Sequence, residues 1–200
     1  MDVFEAIKDR RSVRQQKTDS IDEEVLQKIL EAARWAPSWA NTQCWRFIVV
    51  RDDDIKAQLA ETRPQMPPGP PPGGARPGGP AGPPITSSAV KQAPLIIVVC
   101  AELGKAGVRP DGTSSTDKGD TWYMYDTALA TQNLVLAAHA LGVGTVIMGG
   151  FNAKRAAEVL EVPEGFCVVV MIPLGYPAQE ARVSPRKELS EIVFYDKFKA

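Results

Sequence analysis

The sequence predicts an α+β fold, a mixed sheet covered by helices, and three observations carry that expectation. Val25, Leu26, Ile29, Leu30 and Ala33 recur at helical spacing and give that stretch one apolar stripe. The run from Pro94 to Ala101, P-L-I-I-V-V-C-A, is unbroken apolar sequence of strand length and predicts a buried strand. From about Thr121 to Leu141 a long helical pattern follows, and helical and strand-like segments alternate along the rest of the chain.

Taken in order, a short helix-like stretch from Asp2 to Asp9 opens the chain. Ser20 and Glu23 form a capping-box signature for a helix running to about Ala36. A strand is expected over about Trp45 to Arg51 and a helix over about Asp54 to Glu61. The pattern then collapses, because Pro64 to Pro84 holds ten Pro and six Gly in 21 positions. Such a segment can neither propagate a helix nor supply the donors of a sheet. After the Pro94 strand comes an irregular stretch from Gly104 to Gly119. Asp120 and Gly142 are placed to cap the long helix. Strands near Val143 to Met148 and Cys167 to Leu174 flank a helix at Ala153 to Leu160. No internal repeat is visible.

Composition narrows the function. Two hundred residues with 44% apolar content suit one domain with a sizeable core, the segment at about 64–84 being an insertion in it. With 23 basic and 24 acidic residues the net charge is −1, which argues against nonspecific binding to nucleic acid or to an anionic membrane. No stretch is long and apolar enough to span a membrane, and Met1 to Arg14 lacks the apolar core of a signal peptide, so a cytoplasmic location is expected. Cys44, Cys100 and Cys167 are odd in number without C-x-x-C spacing, and indicate neither a disulfide framework nor a zinc site. The sole histidine, His139, falls in the last turn of the long helix, where it reads most simply as a partner for the helix dipole. No catalytic triad or His-rich metal site can be assembled without a second histidine, and Asp120 and Asp126 form no recognisable carboxylate pair. A chain this poor in catalytic groups suits chemistry carried by a cofactor, with no metal and no catalytic side chain assigned.

Four clusters of residues could hold such a cofactor. Arg10, Arg11, Ser12 and Arg14 make a compact anion site, since guanidinium forks chelate phosphate oxygens; a solvated basic helix end is the plainer alternative. Pro37, Ser38, Asn41 and Gln43 lie on the connection between two packed elements. Their hydroxyl and amide groups, which donate and accept, suit a planar heterocycle of alternating carbonyls and N–H groups. Turn formation by Pro37 and Asn41, with Gln43 satisfying loop backbone, would also explain them. Gly149 and Gly150, after Met148, can bring backbone close to a flat ligand or form a bulge. Arg186 and Lys187 read on composition as a solvated pair; Gln132 and Asn133, a weaker signal, could contact the cofactor or a subunit neighbour, or be solvated polar positions on one helix face.

The blocks R-R-S-V-R, E-A-A-R-W-A-P-S-W-A-N-T-Q-C-W-R-F, L-G-V-G-T-V-I-M-G-G-F and I-P-L-G-Y-P with P-R-K-E-L-S-E-I-V resemble, in order and spacing, the FMN-dependent nitroreductase family. The resemblance implies a nitroreductase-like homodimer with FMN at the subunit interface. Arg10, Ser12, Arg14, Met148, Gly149, Gly150, Arg186 and Lys187 would come from one chain, with Arg11 part of the same basic cluster, and Pro37, Ser38, Asn41 and Gln43 from the other. It further implies that the Gly149–Gly150 backbone faces the hydride-accepting nitrogen. The implied reaction is ping-pong: NADH or NADPH gives a hydride to FMN and leaves, and an oxidised small molecule such as a nitroaromatic, quinone or enone replaces it. Within the same resemblance stand a specialised flavin-cleaving or dehalogenating enzyme and a flavin-binding interaction protein with weak catalysis. Cys44 stands where the family pattern usually has proline. The Pro/Gly segment is expected to act as a lid over the substrate side or as a polyproline ligand for a partner.

Overall fold

The computed structural model describes residues 1–63, 87–181 and 183–198; the Pro64–Pro84 segment lies outside them. Six α-helices and four strands are formed by the described residues: α1 (Val3–Asp9), α2 (Glu23–Arg34), β1 (Trp45–Val50), α3 (Asp53–Glu61), α4 (Ser87–Gln92), β2 (Leu95–Glu102), α5 (Trp122–Ala140), β3 (Gly144–Thr145), α6 (Ala153–Val159) and β4 (Phe166–Gly175). The strands lie in the order β1-β2-β4-β3 and every pairing is antiparallel. A single parallel bridge, Ser12 to Thr145, adds the N-terminal segment to the β3 edge. The fold is α+β.

The unbroken apolar run of β2 is explained by helices on both sides. Leu95, Ile97 and Val99 face Leu26, Ile29 and Ala33 of α2 and Leu134, Val135 and Ala138 of α5. Ile96, Val98 and Cys100, on the alternate face, pack with Leu59 of α3, Val90 of α4 and Ala156 of α6. A strand covered on both faces has no solvent side, so its sequence does not alternate. The Asn133 amide donates to the Ala32 carbonyl at 3.1 Å and ties α5 to α2.

Several boundaries depart from expectation for local reasons. Ser20 does not cap α2, whose first residue is Glu23 and whose N-cap is Asp22. A capping box needs its Glu at the third helical position. Ile21, just before the helix, is buried in the core. Asp120 lies inside a 3-10 turn, Gly119–Thr121, that runs straight into α5, so the helix has no side-chain cap. Gly142 does end α5, at φ +78°, with the N–H of Val143 returning to the Ala138 carbonyl at 2.8 Å and that of Gly142 to His139 at 3.0 Å. Those bonds are the Schellman pattern. The strand expected over Val143 to Met148 is only Gly144–Thr145 as a ladder. Beyond a gap, Met148 bridges Met171 in the same register. Asp2 and Glu5 form a reciprocal capping box on α1 that the sequence reading did not single out. The helix α4 was likewise not expected.

Candidate functional site

The basic N-terminal segment is fixed by the sheet edge. Val13 donates to the Thr145 carbonyl at 2.8 Å, and Lys17 to that of Tyr176 at 2.8 Å, so residues 12–17 run as an extended strip beside β3 and the end of β4. Gln16 adds an amide bond to the Pro173 carbonyl at 2.9 Å. Gly144 is needed here, because a Cβ on it would come within 2.7 Å of Val13.

Arg10 caps the end of α1 and is half-buried. Burial first, then the positive charges of Arg186 and Arg11, hold its pKa below the ordinary value. Arg186, from the far end of the sequence, is near enough for its charge to act on Arg10. Like charges gathered at a partly buried place cost free energy unless an anion joins them. Arg11 turns another way: its guanidinium donates to the carbonyls of Lys8 and Arg10, the latter at 2.9 Å, and finishes α1. Ser12 and Arg14 are half-buried on the strip, while Arg186 and Lys187 are exposed.

His139 is near this cluster. Burial and then the Arg10 guanidinium push its pKa down from 6.5, against a smaller upward pull from Asp9, and its Nε2 is buried without a hydrogen-bond partner. A pKa pushed down works against the cationic dipole partner that its place in the last turn suggested.

The loop after α2 is strained. Ala40, Asn41 and Gln43 adopt left-handed backbone at φ 44°, 57° and 47°. Such conformations are unfavourable for residues with a Cβ and persist only where the surroundings over-determine them. Two bonds do so locally: the Gln43 N–H donates to Ser38 Oγ at 2.9 Å, and the Gln43 amide to Asn41 Oδ1 at 3.1 Å. A third comes from α5, where the Trp39 N–H donates to Asp126 Oδ2 at 3.0 Å. Pro37, Asn41 and Gln43 remain exposed, so the loop's polar groups are held ready at the surface. No hydrogen bond or ion pair among the described residues joins this loop to Arg10, Ser12 or Arg186. Cys44 lies beneath it, fully buried, and burial followed by the Asp126 charge pushes its thiol up to about 11. A thiol so placed is inert.

Met148 exchanges both backbone hydrogen bonds with Met171, at 2.9 and 3.0 Å, and its side chain is buried in the core. Past the glycine pair, Asn152 donates to the Thr62 carbonyl at 2.8 Å and caps α6 by accepting from the Arg155 N–H at 3.0 Å. Gly149 and Gly150 thus form a short exposed span anchored at both ends. Neither has a left-handed φ, and a Cβ on either would meet nothing within 4 Å. Neither backbone conformation nor packing within the chain requires glycine there. They line a cavity of about 570 Å³ with Thr62, Arg63, Phe151 and Asn152.

Asp126 is the functional candidate that sequence reading passed over. Its signal was present: Asp126, Ala130, Leu134 and Ala138 recur every fourth residue on the buried stripe of α5, so a carboxylate falls at a core position. No helix of the described residues is long and apolar enough to cross a membrane.

Among known proteins, residues 7–176 match the model of the family described as the nitroreductase family. A Methanothermobacter thermautotrophicus protein named as an NADH dehydrogenase/NAD(P)H nitroreductase is 33% identical over 183 residues, covering 90% of this chain and 79% of the relative. A nitroreductase family protein of Clostridium novyi NT superposes with a TM-score of 0.70 at 30% identity, over 88% of this chain and 87% of that one. The NADPH:FMN oxidoreductase of Vibrio harveyi, solved with NAD+, superposes with a TM-score of 0.78 at 25% identity, over 98% of this chain and 78% of that one. On the sequence blocks, the fold and these likenesses together, the chain belongs to the nitroreductase family.

Proposed function

We propose that this chain is an FMN-dependent oxidoreductase that takes a hydride from NADH or NADPH and passes two electrons to an oxidised small molecule such as a nitroaromatic, a quinone or an enone. The observation that best supports the reading is the basic strip of residues 10–14 tied to the sheet edge by Val13, with Arg10 half-buried and under the positive charges of Arg186 and Arg11, a cationic place that a phosphate would complete. Two other features fit FMN. The left-handed loop offers Ser38, Asn41 and Gln43 to the polar end of a flat ring system, and Gly149 and Gly150 leave space that a Cβ would fill. Relatives named for NAD(P)H nitroreductase and FMN reductase activity support the same chemistry.

In this reading Arg10, Ser12, Arg14, Arg186 and Lys187 hold the phosphate, and the Gly149–Gly150 backbone lies along the ring. When bound, FMN supplies reversible two-electron chemistry, so the chain needs no acid, base or nucleophile of its own. The residues bind and orient, and the cavity beside the glycine pair admits nicotinamide and substrate in turn. Arg11 also finishes α1, its Nη1 donating to the Lys8 and Arg10 carbonyls.

The working unit is a homodimer, each site taking its loop of residues 37–43 from the other chain. What supports this is exposed apolar surface on two elements: Phe4 on α1 is 80% exposed, and on the C-terminal arm Leu189 is 73%, Tyr195 82% and Phe198 80% exposed. Surface of that kind marks an interaction face. Steady-state kinetics test the reaction class. Parallel double-reciprocal lines for NAD(P)H against a quinone or nitroaromatic are expected, and intersecting lines, which need both substrates bound at once, would refute the ping-pong scheme.

A further inference from the structure

We propose that Asp126 is a positioning residue for the flavin, its carboxylate clamping both ends of the 38–44 loop so that Ser38, Asn41 and Gln43 meet the ring in one fixed arrangement. This rests on the FMN reading above. Asp126 is only 1% exposed. Its Oδ2 accepts from the Trp39 N–H at 3.0 Å where the loop begins, and the Cys44 thiol lies against the same oxygen at 3.9 Å where the loop ends. Trp122, one turn earlier on α5, sets its ring edge-on against that of Trp39 with centroids 5.0 Å apart. One side chain of α5 therefore holds the entry and the exit of a loop whose Ala40, Asn41 and Gln43 are all left-handed.

The chemistry of the clamp is unusual for a merely stabilising contact. No Lys or Arg pairs with Asp126 among the described residues, and burial pushes its carboxyl up against the downward pull of the Trp39 N–H and the Trp122 side chain. A buried carboxylate without a counter-ion costs stability, and a neutral side chain of the same shape removes that cost. Retaining it makes sense where geometry is worth more than stability. Asn keeps one acceptor oxygen for the Trp39 N–H and the Cys44 thiol but removes the charge that strengthens both contacts. The residue would not touch FMN; it acts through the loop.

The test uses Asp126→Asn in the full chain, with FMN affinity, the reduction potential of bound FMN, visible circular dichroism of the flavin and thermal unfolding of the FMN-free protein measured together. The expected result is FMN affinity weakened about tenfold, as for loss of a charge-assisted hydrogen bond. The potential and dichroism should shift with it, while the unfolding temperature of the FMN-free protein stays level or rises. Cys44→Ala, which removes the thiol's contact to Oδ2 and leaves the carboxylate and the Trp39 N–H in place, should move the same flavin signals in the same direction by less, and it decides the matter if Asp126→Asn does not fold. Unchanged affinity, potential and dichroism would overturn the proposal. So would a fall in affinity matched by a fall in unfolding temperature with the bound flavin's signals unaltered, since that pattern belongs to a structural residue. If the parent protein itself binds no FMN, the functional reading fails and this inference with it; if the parent binds and the variants match it, only the inference fails.

Discussion

At the scale of single residues, the account turns on Arg10 and His139, neighbours with opposite requirements. Arg10 is half-buried under the positive charges of Arg186 and Arg11, a place that an anion would relieve. Arg10→Ala should weaken FMN by about 1.5 to 3 kcal/mol, roughly ten- to a hundredfold, while leaving the affinity for riboflavin, which lacks the phosphate, unchanged. Equal losses for both ligands in a titration would place Arg10 away from the phosphate. His139 has its folded-state pKa pushed below 6.5 by burial and by Arg10. Below that pH the unfolded chain binds a proton that the folded chain resists, so this group lowers stability as pH falls through the window beneath 6.5. Asp126, whose carboxyl is raised, acts in the opposite sense and is present in both proteins of the comparison. His139→Gln should therefore lose less stability than the parent between about pH 7 and pH 5, measured by denaturant unfolding at each pH. A parallel loss in both proteins would show that the fold does not depress the imidazole's pKa.

At the scale of elements, two glycine sites separate packing from ligand space. Gly144 lies under Val13, and an added Cβ would approach that side chain to 2.7 Å. Gly144→Ala should cost about 1 to 3 kcal/mol of stability, as overpacking does. Gly150→Ala meets nothing within 4 Å, so folding stability should stay within about 0.5 kcal/mol of the parent while FMN binding weakens. Denaturation and FMN titration of the two variants check both halves, and a Gly150→Ala protein that binds FMN normally would remove the glycine pair from the site.

Most elements were legible because burial writes periodicity into sequence: the stripe on α2, the two-sided burial of β2 and the glycine that ends α5 all appear where expected. What escaped was set by distant contacts. Asp22 rather than Ser20 is the N-cap of α2, with Ile21 between them buried in the core, and β3 stops at Thr145, with Met148 rejoining β4 alone. Chain composition cannot report either. The site clusters were visible as residue types, yet the three left-handed residues of the 38–43 loop are alanine, asparagine and glutamine, none of which declares the conformation as glycine would. Asp126 looked like an unpaired acid because its partners, the Trp39 backbone and Cys44, lie in the segment before β1.

At the scale of the whole molecule, exposed apolar side chains on α1 and the C-terminal arm require cover. Leu189 and Phe198 are 73% and 80% exposed, and Phe194 stacks on Phe198 with centroids 4.3 Å apart rather than on the core. With a second copy as the cover, the double substitution Leu189→Asp with Phe198→Asp should shift the protein from dimer toward monomer in sedimentation velocity. FMN should be lost in parallel, since each site would draw on two chains. A variant that stays dimeric, or a parent that is monomeric while holding FMN, would refute the shared site.

The central claim is that this chain holds FMN and moves electrons from a reduced nicotinamide to a second, oxidised molecule. An anaerobic titration measures it most directly: protein purified with FMN is followed by its visible flavin absorption while NADH or NADPH is added, and then a quinone or nitroaromatic. The account predicts FMN bound to the protein, loss of the flavin absorption with one of the nicotinamides, and its full return on adding the oxidised substrate. Bound FMN that neither nicotinamide reduces, or a protein that takes up no FMN at all, would contradict it.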